Sequence, residues 1–280
     1  MHPVPTDGPL TLTPRWYRFG RANPLENSLD FETIRYTVDD GLANITLARP
    51  DKRNAVTQAM FAELGDAAEE AAADQAVRVV LVTGEGPSFC AGIDLGLLSE
   101  LGPLAAQASD DQDTFGSFIR RAQRPFRALA RMPKPSLAAV QGHALGAGLQ
   151  LALACDLRVA STDAKLGMLE PRYGLIPDLG GLHRLTRLVG PARAKDLVWA
   201  TRMVEADEAR RIGLVDRIAQ PDDLLAEALA LARQVVQHSP TTVALIKDLV
   251  ERAFETPLHD EFELEVQGQT RAVQAWRSTD

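Results

Sequence analysis

Cysteine is scarce in this chain. Its 280 residues include two, Cys90 and Cys155, far apart and without C-x-x-C spacing. That excludes a disulfide framework and a thiolate metal site, and it suits a reducing compartment, so a cytoplasmic location is expected. Basic charge is short as well: 30 Lys and Arg stand against 38 Asp and Glu, a formal net charge of −8. A chain of that sign has no general attraction for a phosphate backbone or an anionic bilayer, so neither nucleic acid nor membrane is an expected partner. No apolar run reaches the length of a membrane span. The opening "MHPVPTDGPLTLTPRWYRFG" lacks the continuous apolar stretch of a secretory signal. It reads as a Pro-containing arm over residues 1–30, with Trp16 and Tyr17 as its anchors. There is no low-complexity tract and no fixed-period repeat. No His/Asp/Glu cluster has metal-ligand spacing, so no metal is expected.

What is present is an ordinary globular composition, 45% hydrophobic and 24% charged, long enough for a substantial core plus an appendage. "TIRYTVDDGLANITLARP" alternates apolar and polar residues on both sides of Asp39-Asp40-Gly41, which predicts a hairpin. "VTQAMFAELGDAAEEAAAD" has helical spacing, and "VRVVLVTG" is a short, almost wholly apolar strand. A polar segment near Gln107–Asp113 precedes a helix through Phe118–Ala130. "KPSLAAVQG" and "LRVAS" are further buried strands. Apolar strands alternating with helices imply an α/β fold built on a mainly parallel sheet covered on both faces. Beyond roughly Gly190, "PARAKDLVWATR", "EADEARRIG", "PDDLLAEALALARQVVQHS" and "PTTVALIKDLVERAFE" show helical spacing with Pro or acidic residues near their starts. The expected organisation is an arm over 1–30, a core over 31–205 and a helical C-terminal region over 206–280.

Two small-residue loops directly follow strands. "GEGPSFCAGIDL" leaves backbone N–H groups pointed above the sheet, or is an ordinary strand-to-helix turn. "HALGAGLQLALACD" repeats the arrangement: Gly142, Gly146 and Gly148 permit close backbone approach, and an apolar helix follows. Leu151 occupies the place where a dinucleotide fingerprint needs glycine, so that reading fails. Two such helix starts on one sheet can supply two N–H donors to a single oxygen. In "LGMLEPRYGLIPDLGG", Glu170 and Asp178 sit among apolar residues, where desolvation would raise a carboxyl pKa. Cys90 lacks an adjacent base and reads as structural, as does His143.

"ITLARPDKRNAV", "FCAGIDL", "KPSLAAVQGHALGAGLQLALACD", "LEPRYGLIPDLGGLHRLTRLVG" and "ARRIGLVDRI", in this order over roughly residues 31–255, resemble the enoyl-CoA hydratase/isomerase (crotonase) family. The resemblance implies a spiral of repeated ββα units with a helical C-terminal region, and a homotrimer or dimer of trimers. It implies an acyl-CoA thioester substrate, with coenzyme A part of the substrate and no separate cofactor. The thioester enolate would be held by the Ile93 and Ala147 N–H groups. A preorganised donor of this kind contributes roughly 100- to 1,000-fold in rate. By motif position, Lys52, Arg53, Ala91, Asp94 and Leu95 would hold CoA, the two cations as phosphate partners.

The same resemblance gives Gln150 a meaning. Hydratases of the family carry a Glu there, paired with a second Glu that Glu170 matches. Gln can position a water through its amide but cannot ionise. Asp178 joins Glu170 as in dienoyl-CoA isomerases, although those also carry an Asp where Gln150 stands. Isomerases of ring-epoxide CoA thioesters resemble the "GLIPD" segment. The preferred expectation is double-bond isomerisation, with Glu170 and Asp178 as catalytic acids and Gln150 in the substrate site. Hydration of a 2-enoyl-CoA is the alternative. A catalytically silent acyl-CoA-binding protein is the rival of another class, and RNA binding a more distant one.

Overall fold

The computed structural model describes residues 30–106 and 114–277. Trp16, Tyr17, nearly all of the expected arm and the Gln107–Asp113 segment lie outside these residues.

The hairpin forms as the pattern requires. β1 (Ile34–Asp39) pairs antiparallel with β2 (Leu42–Leu47), Asp39 opposite Leu42. Asp40 and Gly41, at φ 47° and 78°, make the left-handed two-residue turn whose twist matches that of the strands. β3 (Val79–Gly84), β4 (Ser136–Val140), β6 (Leu157–Ser161) and β9 (Arg217–Ala219) extend the sheet in parallel, in the order β1-β2-β3-β4-β6-β9. Every residue of β4 is buried, so both faces of the sheet are covered there. A second, three-stranded sheet joins β5 (His143–Leu145), β7 (Lys165–Gly167) and β8 (Val204–Glu205).

α1 (Gln58–Ala73) is capped by Thr57, whose hydroxyl accepts the Met60 N–H at 3.2 Å. Met60, Phe61, Leu64, Ala67, Ala68 and Ala71 are buried at helical spacing, one stripe facing the core. α2 (Leu95–Ala106) precedes α3 (Thr114–Ala122) and α4 (Arg124–Arg131). The single helix expected over Phe118–Ala130 is therefore two. Pro125, in the first turn of α4, has no N–H to continue a ladder and its ring crowds the carbonyl one turn back.

α5 (Ala147–Ala154) is buried at every residue and packs against α4 and α6 (Gly181–Val189). α7 (Pro191–Trp199), α8 (Ala206–Arg211), α9 (Leu224–Val236), α10 (Pro240–Arg252) and α11 (Leu258–Arg277) complete the chain. The C-terminal stretch is not purely helical, since β9 adds to the main sheet and α9 packs on β3, β4 and β6. α10 is tied to the core by Lys247, whose ammonium meets Asp156 at 2.7 Å. The same carboxylate accepts the Ser136 N–H at the start of β4.

Candidate active site

Two loops are drawn together by a short parallel bridge. Cys90 N–H donates to His143 O at 2.8 Å, and Leu145 N–H donates to Cys90 O at 3.0 Å. Their approach demands glycine. A Cβ on Gly148 would sit 2.3 Å from Cys90 O; one on Gly92, already at φ +103°, would sit 2.9 Å from Leu145 O and 4.0 Å from Ala147 N. Ile93 follows Gly92 in an extended run. Val56 donates to Gly92 O at 2.8 Å and accepts from Asp94 N at 2.9 Å, which turns the intervening Ile93 N–H away from Val56. Ala147 is the first residue of α5. Neither the Ile93 nor the Ala147 N–H has a hydrogen-bond partner among the described residues. Two unpaired donors, one at a helix start, thus border a single space.

That space is a cavity of about 910 Å³. It is lined by every candidate site residue except Arg53: Lys52, Ala91, Ile93, Asp94, Leu95, Ala147, Gln150, Glu170 and Asp178. Arg53 is exposed and stands off the cavity; its backbone at φ 48° serves the loop, its carbonyl accepting the Ala91 N–H at 2.9 Å. Lys52 is exposed at the edge, as is Leu95, which is 73% exposed. The Asp94 carboxylate is already engaged: it accepts the Gly96 N–H at 2.9 Å and pairs with Arg49 at 3.1 Å. The Gly96 N–H, and then Arg49, hold its pKa below the usual carboxylate range. It works as a cap for α2, not as a free group for a ligand.

Glu170 opens the turn after β7, beside Gly146. Its Oε1 accepts from Gln150 Nε2 at 2.8 Å, while its Oε2 is buried with no hydrogen-bond partner among the described residues. Burial raises its pKa above the ordinary value, the Gln150 donor works against that, and the Asp178 charge adds to it. Asp178, half-buried, is raised by burial too. Gln123 Nε2 donates to the Asp178 carbonyl at 2.6 Å and holds that loop. Gln150 itself is 1% exposed. Its Oε1 accepts the Leu179 N–H at 2.9 Å and the Gly181 N–H at 3.2 Å.

Sequence reasoning misses several contributors. Asn54, fully buried at φ 55°, accepts the Arg49 N–H at 2.8 Å and donates to Glu85 O at 2.9 Å and Ser88 O at 2.8 Å. It clamps the loop bearing Lys52 to the loop bearing Ala91. Its only signal in the sequence is an Asn after two cations. Leu98 and Leu101 from α2, with Phe115, Phe118 and Ile119 from α3, give the cavity an apolar end. His143 is held by Ser88, Nδ1 to Oγ at 3.1 Å, as a structural residue. Cys90 and Cys155 are buried, their thiols pushed up to about 12, which leaves no thiolate for nucleophilic work. Among the described residues no group of His, Cys, Asp and Glu could hold a metal ion, and no helix is long and apolar enough to cross a membrane.

A family model described as enoyl-CoA hydratase/isomerase matches residues 37–278. The chain is 37% identical over 232 residues to "Probable enoyl-CoA hydratase echA8" of Mycobacterium bovis, covering 83% of this chain and 86% of that protein. It is 36% identical over 229 residues to the crotonyl-CoA hydratase of Syntrophomonas wolfei, covering 81% and 85%. Among solved structures, a "putative enoyl-CoA hydratase" of Thermobifida fusca YX in complex with CoA superposes with a TM-score of 0.81 at 36% identity, covering 88% of this chain and 95% of that one. A "putative enoyl-CoA hydratase" of Thermobifida fusca YX in complex with acetoacetyl-CoA gives 0.79 at 35% identity, covering 87% and 95%.

Proposed function

The chain belongs to the enoyl-CoA hydratase/isomerase (crotonase) family, and from that premise we propose that it shifts the double bond of an enoyl-CoA thioester, with Glu170 as proton carrier. The observation that carries the reading is a half-buried carboxyl whose Oε2 has no partner among the described residues, lining the cavity that Ile93 and Ala147 also line. The ionised Glu170 takes a proton from the carbon alpha or gamma to the carbonyl. The C–H electron pair moves into the chain, and negative charge develops on the thioester oxygen, where the Ile93 and Ala147 N–H groups receive it. The protonated Glu170 then returns the proton at the other end of the allylic system. One base suffices, and the enzyme ends as it began. Coenzyme A enters as part of the substrate, with Lys52 at the cavity edge suited to one of its phosphates. Arg53 does not line the cavity and is given no role in this step.

Gln150 favours the shift over hydration. Water addition needs acceptors for the water's protons, so that a lone pair faces the substrate. The Gln150 oxygen already accepts two backbone N–H groups, so it has no lone pair left for a water. Hydration remains the second reading, supported by the names of the relatives and by Asp178 as a second carboxyl. A 3-enoyl-CoA should gain conjugated-thioester absorbance with this enzyme faster than a 2-enoyl-CoA of equal length loses it. The reverse order would establish hydration, and CoA binding without turnover of either would leave a silent binder.

A homotrimer or dimer of trimers belongs to the same proposal. Ile246 and Val250 on α10, with Leu258, Phe262 and Val266 on α11, recur at one-turn spacing and are all more than half exposed. Such an apolar face is covered by association in stable assemblies. Sedimentation is expected to return a multiple of three times 30.4 kDa; a monomer at micromolar concentration would refute it.

A further inference from the structure

Gln150 links three things that the proposed reaction needs in register. It sits on α5, whose first residue is Ala147; its amide nitrogen meets Glu170, and its oxygen meets the backbone just beyond Asp178. The orientation of the amide is decided by its partners. Turned over, it would set its NH₂ against two N–H donors and its oxygen against a carboxylate, losing every bond. Gly181 lies close against the side chain: a Cβ there would be 2.5 Å from Gln150 Cγ and 3.0 Å from its Oε1.

We infer that Gln150 is a positioning residue for Glu170: its amide N–H holds Oε1 while its oxygen is fixed by the Leu179 and Gly181 N–H groups, so the carboxyl is locked in one orientation between α5 and the loop after Asp178. This rests on the proposed chemistry for its use, but the geometry stands without it. Oε1 accepts the Gln150 N–H at 2.8 Å, a bond that is stronger to the carboxylate than to the neutral acid. Oε2 is buried and has no hydrogen-bond partner among the described residues. Burial raises the Glu170 pKa; its own backbone N–H, and then the Gln150 donor, favour the ionised form and offset part of that rise. Asp178, from the loop before α6, is the ionisable neighbour that acts in the same sense as burial; Lys52, Asp94 and Tyr173 are the other titratable groups that line the cavity. Among the described residues Asp178 receives no side-chain donor, and burial favours its protonated form as it does that of Glu170.

Replacing Gln150 with Glu isolates this role from a merely structural one. The new carboxylate keeps an oxygen for the Leu179 and Gly181 N–H groups, so the loop stays anchored. Its other oxygen meets Glu170 Oε1, and the two carboxyls must share a proton. The experiment needs no substrate: carboxyl carbons of ¹³C-labelled glutamate are titrated by NMR, Glu170 being assigned by the signal that Glu170→Gln removes. In the wild type that signal is expected to titrate in a single step. In Gln150→Glu it is expected to titrate in two, the upper midpoint raised by more than about one pH unit. Gln150→Met removes the donor without adding charge and should also raise the midpoint, which covers the case of an unfolded Gln150→Glu. An unmoved Glu170 midpoint in whichever of these variants folds overturns the inference. Absence of turnover on every thioester would sink the proposed function and leave this titration untouched.

Discussion

Glu170→Gln is expected to lower turnover on the best enoyl-CoA substrate by about 100- to 10,000-fold, the range that a positioned general base contributes. The substitution changes little else. A Gln at 170 has the same shape, and its oxygen still accepts from Gln150 Nε2, which lies 2.8 Å from the present carboxylate. What disappears is the capacity to ionise. In the wild type, kcat/KM should rise with pH through a midpoint above the ordinary glutamate value of about 4.3, because burial holds the Glu170 proton more tightly and only the ionised form takes substrate protons. The stability consequence has a definite sign. A carboxyl whose pKa is raised by folding contributes stability below its unfolded value and loses that contribution as pH rises through the folded value. Glu170→Gln abolishes that loss, so its unfolding free energy relative to wild type should improve from acid to neutral pH. Asp178→Asn should cost less activity, because its loop is held by Gln123 through the backbone carbonyl, not by the carboxyl. Steady-state rates across pH, with urea unfolding of the same samples, check all four. A Glu170→Gln enzyme with unchanged turnover removes the carboxyl from the reaction.

Much of the fold and of the site is legible in the order of residues. The hairpin rests on Asp40-Gly41, whose residues tolerate left-handed backbone, and β3 and β4 on apolar runs too short for helices. The loops carrying Ile93 and Ala147 are readable as small-residue stretches after strands, because glycine marks close backbone approach. What periodicity does not supply is side-chain commitment. "DKR" shows two cations, but only the loop geometry sends Lys52 to the cavity edge and Arg53 away from it. Asp94 is assigned to CoA by motif position, and the sequence does not show that Arg49 and the Gly96 N–H engage its carboxylate. Gln150 reads as a residue able to orient water, yet its oxygen is taken by backbone some thirty positions further along the chain. The break between α3 and α4 turns on Pro125, whose effect on a helical pattern is to kink it or to end it, and spacing alone does not choose.

Ala147→Pro tests the other half of the chemistry, and its expected effect is a loss of roughly 100- to 1,000-fold in turnover. Proline here removes the N–H and no hydrogen bond of the folded protein, since that N–H has no partner among the described residues. The position suits the test unusually well. Ala147 is the first helical residue of α5, where proline is tolerated because the N–H there has no intrahelical acceptor anyway. The residue before it is glycine, with φ 51° and ψ −119°, so the pre-proline restriction falls on the most permissive residue type. The remaining effect on the fold is measured by circular dichroism and the melting temperature. Ala147→Gly supplies the counterpart: it keeps the N–H and gives up one methyl, so its turnover should stay within a few-fold of wild type. If the Ala147 donor holds developing charge on the thioester oxygen, the proline variant loses kcat far more than it raises KM. Ground-state binding of the thioester uses many contacts, whereas this donor strengthens its grip only as the oxygen becomes an anion. A folded Ala147→Pro enzyme with wild-type turnover would remove Ala147 from the oxyanion site, and Ile93 would then be the single backbone donor left to hold the enolate.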